Sequence, residues 1–89
     1  MNTIYKYDLD DVSETLLSLP SGAKILRVDF QGATPKLWAE VSTGAPLENR
    51  TIEVFGTGHE MPPGERVFIN TFFSPEHTYV FHAYEKIRP

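Results

Sequence analysis

Two segments that alternate apolar and polar side chains place the strongest constraint on the fold of this chain. Residues 24–30 and 36–42 both follow a period of two, which is the pattern of a strand with one buried face. The short connection between them, residues 31–34, contains a glycine and has the length of a hairpin loop. We therefore predict an antiparallel hairpin with Trp38 on its outward face. The inward face of its second strand carries Leu37, Ala39 and Val41.

Other short segments, rich in β-branched and aromatic residues, recur about every ten to fifteen residues. They lie at residues 3–7, 51–55, 66–73 and 78–85. The segment 9–19 is ambiguous because its apolar residues also fit a helical stripe, but Pro20 leaves only about eight residues for a helix, so we favour a strand over 15–19. The pattern predicts an all-β chain, a small antiparallel β-barrel or sandwich of about six or seven short strands, in a single domain over residues 1–89.

The composition narrows the class of protein further. The chain has no cysteine, which excludes a disulfide scaffold, a thiolate metal site and a cysteine nucleophile, and which fits a reducing compartment. No apolar run reaches the roughly 18 residues of a membrane span, and the first residues do not resemble a signal peptide. The formal charge of −4 argues against binding of duplex nucleic acid by the protein as a whole. We expect a cytoplasmic protein with no membrane partner.

The densest group of chemically special residues is the loop that begins at Gly56. Backbone N–H groups around Gly56 and Gly58 can form a concave anion site, to which Thr57 adds a hydroxyl and His59 or Arg66 a positive charge. The spacing is not that of a phosphate-binding P-loop, and no helix follows to present its N-terminus. The alternative is that both glycines meet only the conformational needs of a sharp turn.

The three histidines, His59, His77 and His82, lack the spacing of a metal site, so we predict no metal, no cofactor and no assigned catalytic residue. His82 is nevertheless a candidate ligand contact, and His59 with His82 has the chemistry for general acid–base work in a small hydrolase. Trp38 is a further candidate, because an outward aromatic ring can stack on a nucleobase.

The last two predicted strands, residues 66–73 and 78–85, are apolar on both faces. A small sheet normally leaves one face wet, so either the sheet closes over both faces or a second copy of the chain covers one of them. We therefore expect a homo-oligomer.

Several motifs together resemble a family of small uncharacterised proteins encoded by tailed phages, prophages and bacteria. The motifs are the MNTIYKY start, LPSGAKIL at 19–26, LWAEV at 37–41, GTGH at 56–59 and YVFH at 79–82. The resemblance spans nearly the whole chain and implies a phage or prophage origin, hence the host cytoplasm, but no mechanism. Residues 74–77 read SPEH where the resemblance implies a glycine-containing turn, so the conformation of that turn stays open.

These observations favour a non-enzymatic binding protein over an enzyme. The main hypothesis is a phage-encoded antagonist of host defence that either sequesters a small anionic, nucleotide-like signal or docks on a defence protein. Its predicted ligand contacts are Gly56, Thr57, Gly58, His59, Arg66, Trp38 and His82. The alternatives are a small hydrolase that uses His59 and His82, or a virion or assembly accessory protein.

Overall fold

A computed structural model describes residues 1–10 and 13–88 and contains seven antiparallel strands. They are β1 (Asn2–Asp8), β2 (Glu14–Pro20), β3 (Lys24–Gln31), β4 (Thr34–Ser42), β5 (Leu47–Gly56), β6 (Glu65–Phe73) and β7 (Val80–Arg88). The all-β prediction is confirmed. Within the ambiguous segment 9–19, residues 14–19 are strand, as favoured, whereas Asp11 and Val12 lie outside the described residues.

The strands form two sheets that face each other. One sheet has the order β1-β4-β3, and the other has the order β2-β5-β7-β6. The arrangement is a sandwich and not a closed barrel, which decides between the two predicted architectures. Because β7 lies between β5 and β6, the connection from β5 to β6 is not a hairpin. Residues 57–64 form a loop that leaves β5 beside the start of β7, at Phe81, and enters β6 beside the other end of β7, at Arg88. That loop is called the β5–β6 loop below.

The core lies between the sheets and is built from the alternating residues of the hairpin β3–β4 and its partners. Val28, Leu37, Ala39, Ile52 and Ala83 are fully buried. Burying a Val, Leu or Ile side chain contributes about 1.5–3 kcal/mol each, and the rings of Phe30, Phe72 and Phe81 pack together at centroid distances of 5.6 to 6.0 Å. Trp38 lies on the opposite face of β4 from this core, as its position in the alternation predicted.

The β3 and β6 edges of the two sheets are joined by one side chain. Asn70 on β6 accepts a hydrogen bond from Val28 N–H at 2.8 Å through Oδ1 and donates to Val28 O at 2.8 Å through Nδ2. The amide of Asn70 thus pairs with Val28 as a neighbouring strand would. The pairing of both strands shifts close to this point, between Ile25 and Arg27 in β3 and between Phe68 and Asn70 in β6, which is the pattern of a β-bulge.

An ion pair closes one end of the core. Arg50 donates two hydrogen bonds to the carboxylate of Glu85, at 2.7 and 2.8 Å, and a third to Ala23 O. The hydrogen bond with Glu85 raises the pKa of Arg50 above its ordinary value, so the guanidinium stays charged although it is half-buried.

The turn of residues 74–77, left open by the sequence, is a hydrogen-bonded turn. His77 N–H donates to Ser74 O at 2.8 Å, and His77 adopts a φ of 60°, in the left-handed region that glycine favours. Ser74 Oγ accepts from the N–H groups of Thr78 and Tyr79, which fixes the turn without a glycine. No helix among the described residues is long and apolar enough to span a membrane. The single domain over residues 1–89 stays a prediction.

Candidate functional site

The glycine-rich stretch forms a tight turn at the end of β5. His59 N–H donates to Gly56 O at 3.0 Å, and Gly58 has a φ of +88°, the value that the third residue of a type II turn requires. Thr57 N–H donates to Val80 O at 3.1 Å, which attaches the turn to the start of β7. Gly58 therefore has the structural role that was the alternative to ligand binding, although that role does not exclude a ligand contact.

Gly56 is needed for a different reason, the close approach of the His59 ring. A Cβ atom at residue 56 would lie 2.8 Å from Cε1 and 2.9 Å from Nδ1 of His59, closer than such contacts are found. The imidazole thus rests against the bare backbone of Gly56. Because residue 59 is exposed, a larger residue at position 56 would displace this ring and not the core.

His82 lies between two threonine hydroxyls on the outer face of the second sheet. Its Nε2 is 2.8 Å from Thr57 Oγ1, and its Nδ1 is 2.9 Å from Thr71 Oγ1. Thr57 Oγ1 also lies 3.3 Å from Val80 O. If the Thr57 hydroxyl donates to that carbonyl, its oxygen accepts from Nε2–H of His82, and Nδ1 in that tautomer accepts from Thr71. This network fixes the orientation of His82 and connects the β5–β6 loop to β6.

Arg66 forms a buried ion pair below the β5–β6 loop. Its Nε donates to Glu53 Oε1 at 2.9 Å, with only 11% and 5% of the two side chains exposed. Nη2 donates to Pro62 O at 2.9 Å, and the guanidinium carbon lies 5.4 Å from the centroid of the Phe55 ring. Arg66 is therefore engaged by three groups of the protein, and its main role is to hold the loop on the sheet.

A cavity of about 250 Å³, called the loop cavity below, opens between the turn and the outer face of the sheet. Its walls are the two glycines of the turn together with the side chains of Phe55, Thr57, His59, Met61, His82 and Tyr84. The rings of Phe55 and Tyr84 meet edge to face at 5.9 Å, and Phe68 adds a second edge-to-face contact to Tyr84 at 5.4 Å. The aromatic outer face of β6 and β7, which prompted the expectation of a homo-oligomer, is thus partly covered by its own rings.

The structure brings together five of the seven residues predicted to contact a ligand. Gly56, Thr57, Gly58, His59 and His82 all line the loop cavity. Arg66 lies beside the cavity, against Phe55, and is not in its lining.

Trp38 does not join this group. It lies on β4, in the other sheet, opposite Lys6 on β1 and Arg27 on β3. Alternation shows which face of a strand a residue occupies, but it does not show which sheet that strand joins, and this is why Trp38 was grouped with the loop.

A larger cavity, of about 480 Å³, lies elsewhere, between the ends of β3 and β6, and includes His77. Its charged lining residues, Arg27 and Asp29, pair with each other at 3.2 Å. The two charges compensate each other, so this cavity is less suited to an anion than its size suggests. The loop cavity has no such carboxylate in its lining.

Sequence reasoning missed three contributors to the site. Phe55 and Tyr84 were not among the predicted ligand contacts, and Glu53 was not considered; in the structure Glu53 is only 4% exposed. Phe55 and Glu53 occupy the same outward face of β5, because Ile52 and Val54 face the core. A period of two separates the two faces of β5, but it does not show that the β5–β6 loop buries the outward face.

The arrangement can bind a small planar group more readily than it can catalyse a reaction. Both nitrogens of His82 are engaged by hydroxyls, so general base catalysis by this ring would require one of those bonds to break. The ring of His59 is held by the backbone at Gly56 and lines the cavity. Among the described residues no group of three His, Asp or Glu side chains is placed to hold a metal ion.

Comparison with known proteins gives a family and no named relative. No curated protein matches the chain, and no solved structure matches it. A family model described as "Domain of unknown function (DUF7352)" matches residues 1–89, which is the full length of the sequence. The chain therefore belongs to the DUF7352 family.

Proposed function

We propose that this protein is a non-enzymatic binding protein that captures a small, anionic, nucleotide-like ligand in the loop cavity. The observation that carries the proposal is the convergence of two imidazoles, His59 and His82, and two aromatic rings, Phe55 and Tyr84, around one cavity of about 250 Å³. Aromatic rings offer a stacking surface to a base, and the His59 imidazole, which is not held between two hydroxyls as His82 is, offers a donor for a phosphate.

The size of the cavity limits the ligand. Pockets for drug-sized molecules usually measure about 300–1,000 Å³, so a cavity of about 250 Å³ suits a single base or one nucleotide unit and leaves any further unit outside. Met61, which is 41% exposed at the rim, can adapt to the shape of such a group.

The source of positive charge is also limited. Arg66 is paired with Glu53, and the N–H groups of Thr57 and His59 donate to carbonyls of the protein, so the nearest adaptable donor for an anion is the His59 ring. A single histidine gives modest affinity for a phosphate, and the affinity should fall as salt increases. The proposal therefore favours a ligand held mainly by ring stacking, with its negative charge as a secondary contribution.

The biological setting that we propose follows the resemblance to phage and prophage proteins. The protein would act in the cytoplasm of the host cell as an antagonist of a defence pathway, by removing a nucleotide signal in stoichiometric amounts. Docking on a defence protein, hydrolysis with His59 and His82, and a role in the virion are the competing functions.

The test is a thermal-shift and calorimetric screen with mono-, di- and cyclic nucleotides at low salt. We expect one of these classes to raise the melting temperature and to bind with a stoichiometry of one per chain or per pair of chains. His59→Ala should weaken that binding roughly tenfold or more and leave the unliganded fold intact, because the ring is exposed and outside the core. His77→Asn is the matched control, since His77 is a remote exposed histidine and asparagine accepts its positive φ.

Failure of every nucleotide class to shift the protein would overturn the proposal. Turnover of any nucleotide that is lost in both His59→Ala and His82→Ala would replace it with the hydrolase alternative. Binding that is unchanged in His59→Ala would show that the ligand occupies another site.

A further inference from the structure

The exposed sheet edges of this molecule are protected to different degrees. The edges β3 and β6 lie together, carry bulges and are joined by Asn70. The edge strand β2 is protected in a different way. Because Ser21 N–H donates to Pro46 O, the backbone N–H and C=O groups of the odd-numbered residues of β2 point toward β5. Those of the even-numbered residues point away from β5, toward the open edge. Pro20 is one of these even-numbered residues and has no N–H to donate, so the row of donors along the open edge of β2 is incomplete.

The edge of β1 carries a complete row of backbone groups. Thr43 N–H donates to Met1 O, and Leu9 N–H donates to Pro35 O, so the odd-numbered residues of β1 are those that bond to β4. The pairing with β4 is continuous from end to end of the strand, with no shift of register. The residues whose N–H and C=O point away from β4 are therefore Asn2, Ile4, Lys6 and Asp8. None of them is a proline.

The charged residues of β1 do not protect this edge from pairing with a strand of another chain. An edge lysine usually discourages pairing with another chain. Here Lys6 Nζ donates to Gln31 Oε1 on β3 at 2.7 Å, so its side chain lies across the sheet and away from the edge. Asp8 likewise accepts from Lys36 Nζ on β4 at 2.6 Å.

Two apolar side chains of β1 are exposed to solvent. Tyr5 lies on the inward face, opposite the fully buried Ala39, yet it is 44% exposed, whereas Tyr7, two residues further on, packs against the core. Ile4, on the outward face, is 57% exposed. A strand with open backbone groups and exposed rings is a template for the addition of another strand.

We infer that β1 pairs antiparallel with β1 of a second copy of this chain, with Tyr5 on the two-fold axis, so that the two three-stranded sheets become one continuous sheet of six strands. An interface of this kind is self-complementary, as two-fold symmetry requires. It places Ile4 opposite Lys6 of the second copy and Tyr5 opposite Tyr5. The two exposed apolar residues of β1, Ile4 and Tyr5, thus both lie opposite a residue of the second copy.

The hydrogen-bond pattern restricts the register to a few choices. Residues whose N–H and C=O groups point away from β4 must pair with residues of the same kind on the second copy, so even-numbered positions pair with even-numbered positions. The register centred on Tyr5 pairs the whole of β1, from Asn2 opposite Asp8 of the second copy onward, and forms about eight hydrogen bonds, two for each even-numbered pair. A shift toward the end of the strand places Lys6 opposite Lys6, where like charges repel. A shift toward its start pairs fewer residues.

This inference does not depend on the proposed ligand, and its test needs none. Sedimentation of the full-length chain at about 10–100 μM should show a species of about 20 kDa, twice the 10.1 kDa of one chain. Ile4→Glu places a carboxylate opposite Lys6 of the second copy and should tighten the dimer, whereas Ile4→Lys should weaken it. We expect roughly a tenfold change in the dissociation constant in each direction, since two symmetric pairs change together. Circular dichroism checks that both variants fold.

A crosslink tests the register directly, because the native sequence has no cysteine. Tyr5 opposite Tyr5 is a non-hydrogen-bonded pair, whose Cα atoms lie about 4.5 Å apart, within the range of a disulfide. Tyr5→Cys should therefore oxidise to a covalent dimer. Thr3→Cys is the matched control on the same face; its two thiols would lie about 13 Å apart and should not crosslink.

Three results would overturn the inference. The first is a monomer at all concentrations, and the second is a dimer whose stability is the same in Ile4→Glu and Ile4→Lys. The third is equal crosslinking of Tyr5→Cys and Thr3→Cys. A dimer that responds to Leu16→Lys on β2 and not to Ile4→Lys would also reject β1 as the interface.

Discussion

The Asn70 side chain should be one of the most sensitive polar positions in the protein, and Asn70→Ala measures its contribution. The substitution removes both hydrogen bonds to Val28, each 2.8 Å long, and leaves the N–H and C=O of a fully buried residue without their partners. An unsatisfied buried polar group costs about 1–3 kcal/mol. Because the site lies at an edge where water can reach it after relaxation, we expect a total loss of about 2–4 kcal/mol.

That loss is large for a chain of this size. A domain of 89 residues has a free energy of unfolding of about 4–13 kcal/mol, so Asn70→Ala would remove a substantial part of it. The melting temperature should fall by at least about 8 °C. Urea unfolding gives the free energy and the m-value, and an unchanged m-value shows that the native state stays equally compact. Hydrogen exchange should show loss of protection at Val28 N–H, with the amides of β5 and β7 still protected in the native state.

Asn49→Ala is the matched control, because Asn49 is exposed on β5 and has the same side chain. Its effect should stay within about 0.5 kcal/mol. Asn70→Asp separates the two hydrogen bonds, since a carboxylate still accepts from Val28 N–H but cannot donate to Val28 O. The reasoning is refuted if Asn70→Ala unfolds within about 0.5 kcal/mol of Asn49→Ala, or if Val28 N–H keeps its protection.

Two further predictions concern charged pairs. Glu53→Gln should lower the free energy of unfolding in urea by about 3 kcal/mol, because it removes the negative charge of Glu53 from the Arg66 guanidinium, which is 11% exposed. Asp29→Asn, in an exposed ion pair, should lower it by less than about 1 kcal/mol. Equal effects of the two substitutions would contradict the role of burial. The hydrogen bond from Lys36 holds the pKa of Asp8 below its usual 3.8, so this pair stabilises the fold above that pH and the benefit is lost as the pH falls through the lowered pKa. The difference in urea midpoint between the native protein and Asp8→Asn should therefore be present at pH 6 and disappear on acidification below pH 3.8; a constant difference would contradict it.

The alternation of apolar residues was enough to predict the hairpin β3–β4 and the buried face of β4, whereas in β3 the bulge turns Leu26 outward and Ile25 toward the core. The side chains of Leu37, Ala39 and Val41 are at most 2% exposed. Trp38 faces outward. Such a pattern is local, since each residue reports only its own face of its own strand. The strand number and the all-β class followed from the same signal, repeated along the chain.

The features that build the candidate site are not local, and the sequence signals them poorly. The order β2-β5-β7-β6 depends on pairing between distant segments, and the burial of Glu53 depends on a loop that folds back over the outer face of the sheet. The β-bulges and the role of Asn70 arise only where two sheets meet. The grouping of Gly56, Thr57, Gly58 and His59 was predictable because they are adjacent in sequence, whereas the place of Trp38 was not.

The position of β7 between β5 and β6 has a consequence for how the chain acquires its site during synthesis. The strands β5 and β6 are consecutive, yet each is hydrogen-bonded to β7 and not to the other. At a translation rate of about 5–20 residues per second, the hairpin β3–β4 can form while the rest is still being made. β6 cannot join its sheet before β7 is made, and the loop cavity lacks His82 and Tyr84 until then. The first sheet needs only β1, β3 and β4, all within residues 2–42, so the second sheet and its loop cavity are the part of the molecule that is completed last.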